Sequence, residues 1–121
     1  MPEPVIICLH QPALELAKKV GSLCDGEVHG LQSRVNAINK TFEKTKEHLR
    51  DLFQKGHPLV GICSSGILIR SLADVLSDKH TEPPVLAVAE DGSCVIPLLG
   101  GHHGANDLAR KIASGLGVGA A

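Results

Sequence analysis

Unbroken apolar runs alternate along this chain with stretches in which apolar residues recur every three or four positions. Residues 4–10, PVIICLH, form a continuous run rich in β-branched residues, the pattern of a strand buried on both faces. Pro12 opens a helix whose inward face is Ala13, Leu16, Ala17 and Val20. GEVHGL (26–31) reads as a short second strand. The stripe of Phe42, Thr45, Leu49, Leu52 and Phe53 predicts a helix from about Asn39 to Gln54, stopped by Lys55-Gly56. PLVGIC (58–63) is another buried strand, running through Ser64-Ser65-Gly66 into a helix with Leu68, Ile69, Leu72, Val75 and Leu76 on its apolar face. EPPVLAVA (82–89) and CVIPLL (94–99) are strands joined by the hairpin signal Asp91-Gly92, and Pro97 marks the second as an edge. A closing helix uses Ala105, Leu108, Ala109, Ile112, Ala113 and Leu116.

Strands alternating with helices predict an α/β three-layer sandwich: a mostly parallel sheet of about five strands, helices on both faces and one β-hairpin. Residues 1–121 form a single domain. The final GLGVGAA looks like the start of a further strand, so we expect the chain to be a piece of a longer protein.

Composition narrows the functional classes. Two Phe and no Trp or Tyr leave no platform for stacking single-stranded nucleic acid. A net charge of -1 offers no field to recruit nucleic acid or an anionic membrane. No run approaches the roughly 20 apolar residues of a membrane helix, and no signal peptide opens the chain; we expect a cytoplasmic protein. Cys8, Cys24, Cys63 and Cys94 form no CxxC and read as buried reduced thiols, with a disulfide or metal role as the alternative.

Two elbows carry candidate chemistry. At Cys63-Ser64-Ser65-Gly66, a buried strand turns into a helix, exposing backbone N–H groups suited to phosphate or carboxylate, with Arg70 one turn on as a clamp. The plainer alternative is that Ser64 or Ser65 only caps the helix. Cys63 as a nucleophile lacks an identifiable base. At Gly100-Gly101-His102-His103-Gly104-Ala105-Asn106, the glycines permit close backbone approach and a histidine can move a proton near neutral pH. Asn106 is either a helix cap or a ligand contact; the plainer alternative is a turn with surface imidazoles. Adjacent histidines point apart, so no metal site is assigned. His10 and His29 end strands, where α/β proteins place ligands. His48, His57 and His80 read as solvated.

Three ordered blocks, LVGICSSGILIRSLADVLSDK, EPPVLAVAEDGS and VIPLLGGHHGANDLARKIA, resemble the amino-terminal domain of the cobalamin-biosynthesis CbiG family. The likeness covers nearly the whole chain. Gly100 stands where that family commonly has Ser, and HHGAN is one residue short of the usual spacing. That variant looks more like the CbiG-type domain fused ahead of precorrin-3B C17-methyltransferase. The resemblance implies a function in the vitamin B12 pathway: cobalt-precorrin-5A hydrolase-type lactone opening with release of acetaldehyde, or an accessory role beside the methyltransferase. It implies a tetrapyrrole corrin precursor bearing many carboxylates as ligand. No cofactor is expected in this domain; S-adenosylmethionine would sit in a fused methyltransferase domain. Ser64, Ser65, Gly66, Arg70, Gly101, His102, His103, Gly104 and Asn106 are the expected substrate-binding residues, with His102 the candidate base for a lactone-opening water. A non-catalytic corrinoid-binding or dimerisation module, as a homo-oligomer, is the alternative. If strands 58–63 and 84–89 are parallel, the hairpin reverses strand 94–99, and the two elbows should lie at opposite ends of the sheet.

Overall fold

A computed structural model describes residues 2–38 and 40–121. The strands are β1 (Val5–Cys8), β2 (Glu27–Leu31), β3 (Lys40–Phe42), β4 (Leu59–Ile62), β5 (Val85–Val88) and β6 (Val95–Leu99). The helices are α1 (Leu14–Cys24), α2 (Thr45–Gln54), α3 (Ser65–Leu72) and α4 (Ala105–Leu116). One six-stranded sheet runs in the order β3-β2-β1-β4-β5-β6. Every neighbouring pair is parallel except β5 and β6, the hairpin.

Alternation along each central strand builds two cores. Ile6, Cys8, Val60, Ile62, Leu86 and Val88 face α1 and α4. Val5, Ile7, Leu59, Val85 and Ala87 face α2 and α3. Both faces are covered, which is why these strands read as unbroken apolar runs rather than alternating ones. The predicted three-layer α/β architecture is thus present, with six strands instead of about five.

The extra strand is β3. Phe42 belongs to it and not to a helix; α2 begins only at Thr45. Lys-Thr-Phe is too short to show a period, and its pairing with His29, Gly30 and Leu31 of β2 is non-local. Asn39, where that helix was expected to start, lies outside the described residues. Two helix faces also rotate relative to expectation. In α1, Leu14 is 4% exposed and Leu16 only partly buried. In α3, Leu68 and Leu72 are fully buried, whereas Ile69 is 50% and Leu76 38% exposed. Leu76 falls beyond α3, after a 3-10 turn (Ala73–Val75) that breaks the helical period. At the chain's end, Ala120 forms an isolated parallel bridge to Val95 on the free side of β6. Among the described residues, no helix is long and apolar enough to cross a membrane.

Candidate functional site

The strand order reverses between β1 and β4. Helix α1 carries the chain from β1 to β2 on one face, and α2 returns it past β1 to β4 on the other. At such a switch point the loops after the two strands diverge and leave a crevice at their carboxyl ends. Here those loops are His10-Gln11 and Cys63-Ser64.

Ser64 holds the N-cap position of α3 with extended backbone (φ -68°, ψ 147°), but its hydroxyl makes no capping bond. The expected seryl cap is therefore in place without its hydrogen bond, and the first N–H groups of α3 remain available to a ligand. The Arg70 guanidinium folds back over this turn. Its Nη1 lies 2.8 Å from where a side chain on Gly66 would begin. Glycine at 66 thus leaves room for a cation above the helix start, where an anion would meet both.

His10 Nδ1 lies 3.6 Å from Glu90 Oε2 after β5, on the same edge. The Glu90 charge and, above all, burial push the Cys63 thiol up to about 11 from 9.0. At pH 8 this means roughly a hundredfold less thiolate than in an ordinary cysteine, so Cys63 is not an activated nucleophile. Iodoacetamide is expected to label Cys63 in the folded chain only on unfolding; labelling within minutes at pH 8, followed by mass spectrometry, would contradict this. All four cysteines are free, Cys8, Cys24 and Cys63 buried.

The second elbow lies at the other end of the sheet. Leu99, which leads into it, pairs with Val85, and Val85 is level with Leu59 at the start of β4. Ser64 follows the far end of β4. The elbows are therefore separated by the length of a strand, roughly 10 Å plus their loops. Gly101, His102 and His103 form an exposed 3-10 turn between Gly100 and Gly104, both left-handed. The His103 Nε2 contacts the His80 carbonyl oxygen, and the His80 and His102 rings lie 4.6 Å apart. His103 and Gly104 line a cleft of about 390 Å³ with Glu3, Asp25, Pro58 and Pro84. Asn106 is exposed inside the first turn of α4; Gly104 holds the cap position, so Asn106 is not the cap. Ser64, Ser65, Gly66 and Arg70 thus form one group and Gly101, His102, His103, Gly104 and Asn106 another, and the fold does not join them. Among the described residues, no cluster of three or more His, Cys, Asp or Glu could hold a metal ion.

Sequence reasoning missed a third group. His48, expected in solvent, is half-buried and hydrogen-bonded to His29, which in turn meets Glu27. Its one sequence signal was His29, expected at the end of the second strand; the structure places it instead in the middle of β2, paired with Ile7. Burial above all, with the neighbouring His29, lowers the His48 pKa from 6.5. The folded state therefore favours neutral His48. That contribution to stability is complete above pH 6.5, shrinks as the pH falls below it, and is gone beneath the folded pKa. Urea midpoints are expected to drop below pH 6.5 less steeply in His48→Gln than in the parent chain; equal slopes would contradict the assignment.

The fold is that of an α/β domain with a crevice at the carboxyl edge of its sheet, and comparison with known proteins assigns its family. The family model described as cobalamin synthesis G N-terminal matches residues 47–121. The cobalt-precorrin-5A hydrolase of Priestia megaterium is 31% identical over 92% of this chain and 32% of its own. The enzyme of that name from Salmonella typhimurium (strain LT2) is 42% identical over 57% of this chain and 20% of its own. The crystal structure of a cobalamin biosynthesis protein G homolog from Sulfolobus solfataricus shares the fold, with a TM-score of 0.72 at 18% identity over 98% of this chain and 36% of that one. The chain belongs to the CbiG amino-terminal family. It spans about a third of the Priestia relative and a fifth of the Salmonella one.

Proposed function

We propose that this chain is the corrin-precursor-binding domain of a cobalamin-pathway enzyme of the cobalt-precorrin-5A hydrolase type. The observation that carries the reading is Arg70 folded over Gly66, at an uncapped helix start beside the switch point. A corrin precursor presents several acetate and propionate carboxylates, and one of them suits a guanidinium above free backbone donors. The similarity to two cobalt-precorrin-5A hydrolases supports lactone opening as the reaction of the whole enzyme.

A second reading is a binding module without chemistry of its own, self-associated or appended to an S-adenosylmethionine-dependent methyltransferase. It is favoured by the placement of His102, a strand's length from the Ser64 turn. His102 serves as base only for a ligand at the amino edge.

Titration of the chain with cobalt-precorrin-5A, followed by absorbance and by acetaldehyde release, separates these readings. Release makes the domain a hydrolase; binding without release makes it a docking module. Arg70→Ala is expected to weaken binding about 10-fold or more, the loss of one hydrogen bond to a charged group. Unchanged affinity in Arg70→Ala would remove the Ser64–Arg70 turn from the binding site.

A further inference from the structure

His29 sits in the middle of β2, in register with Ile7 and Lys40, and is only 9% exposed. Both its ring nitrogens are engaged. Nε2 is 2.7 Å from Glu27 Oε1, and Nδ1 is 2.8 Å from His48 Nε2. The His29 contact above all lowers the Glu27 pKa, which keeps it a carboxylate. A carboxylate only accepts, so His29 donates from Nε2, and in the neutral ring its Nδ1 is a lone pair. His48 must then donate from Nε2, and its own Nδ1 is left as the open lone pair at the end of the chain. No hydrogen bond to a described residue engages that nitrogen. Phe42 stacks on the His48 ring at 4.5 Å and 9°, holding its plane.

His48 lines an open cleft of about 540 Å³ with Gln32, Thr41, Glu43, Lys44 and Glu47. This cleft lies at the carboxyl ends of β2 and β3, the same edge of the sheet as the Ser64 turn. Three strand spacings, roughly 14 Å, separate β3 from β4. A macrocycle with carboxylates around its rim can meet Arg70 at one side and reach this cleft at the other.

We propose that Glu27, His29 and His48 form a proton relay whose outer nitrogen, His48 Nδ1, activates water against a carboxylic ester of the lactone class. The choice of ester rests on the reading above; the relay itself does not. A water O–H bond breaks, its proton goes to His48 Nδ1 and its oxygen bonds to the acyl carbon. His48 Nε2 passes its proton to His29 Nδ1, and the resulting imidazolium stays paired with the Glu27 carboxylate. When the bond from the acyl carbon to the ring oxygen breaks, the proton returns along the same path to that oxygen. One water is consumed, an acid and an alcohol form, and the relay is restored. Lys40 and His57 act on Glu27 and Asp51 and Lys55 on His48, while Glu43, Lys44 and Glu47 rim the cleft. These charges are of both signs, so the direct Glu27 contact decides where the positive charge rests.

Two measurements on the chain test this. Nitrogen-15 NMR of the histidine rings is expected to show one proton shared between His29 Nδ1 and His48 Nε2 at pH 8, with His48 Nδ1 bare. Two rings that titrate independently would overturn the relay. Dihydrocoumarin, a small lactone, is expected to be hydrolysed with saturation, and His48→Gln to lower kcat roughly 100-fold. Glu27→Gln should move the acid limb of kcat/KM to lower pH, because the carboxylate no longer supports a protonated His29. No hydrolysis by the parent chain, or an unmoved limb in Glu27→Gln, overturns the proposal, and the second stands even if His48→Gln fails to fold. Lactone hydrolysis without affinity for cobalt-precorrin-5A would remove the corrin reading and keep the relay. Corrin opening at full rate in His48→Gln would remove the relay alone.

Discussion

Gly100→Ala is expected to destabilise the domain by about 3 kcal/mol, a substantial fraction of a small domain's margin. Two costs add. Gly100 has φ 83°, a left-handed conformation that a Cβ disfavours. A Cβ there would also meet the carbonyl carbon and oxygen of Pro83 and the Cα of Pro84 at 2.5 Å. Those are backbone atoms of a doubly proline-restricted segment, so they have little freedom to retreat. The contact ties the end of β6 to the entrance of β5, and the amide of Ala105 bonds back to the Gly100 carbonyl. Gly101→Ala is the control: nothing lies within 4 Å of the added carbon. Urea unfolding should place the two variants well apart. A loss under about 1 kcal/mol for Gly100→Ala would mean that β6 shifts freely against β5. In this packing a side chain at position 100 has no space.

Leu68→Ala is expected to cost about 2–5 kcal/mol, and Ile69→Ala less than about 0.5 kcal/mol. Leu68 is fully buried. Its two methyl groups lie 2.8 and 3.0 Å from where a Gly61 side chain would begin, so leucine fills a slot that glycine leaves in β4. Truncation opens a cavity between α3 and the sheet that the rigid strand cannot close. Ile69, one position on, is half exposed and loses little. Because Leu68 anchors the first turn of α3, its loss should also weaken carboxylate binding at Ser64–Arg70. Full affinity in a folded Leu68→Ala variant would separate the Ser64 turn from the packing beneath it.

The candidate site was partly legible. Ser64-Ser65-Gly66 after a buried strand pointed to a helix start, and the Asp91-Gly92 hairpin placed the histidine elbow at the opposite end of the sheet. Both statements depend on local signals, a turn and a change of period. The Glu27–His29–His48 chain was not legible. Its members come from a strand and a helix 19 residues apart, and only pairing across β2, β3 and α2 brings them within hydrogen-bond distance. The half-buried state of His48 depends in turn on Phe42, which helical spacing assigned to the wrong element.

Read alone, the sequence determined the α/β class, the hairpin, the inward face of α4 and the two-sided burial of the central strands. These follow from hydrophobic period and turn chemistry, which act over a few residues. Only the tertiary structure decided the sixth strand, the inward faces of α1 and α3, the fold-back of Arg70 over Gly66 and the histidine pair. Each depends on which surface an element meets. Helical period leaves a face ambiguous by about one residue, or roughly 100°, until a partner surface selects one orientation.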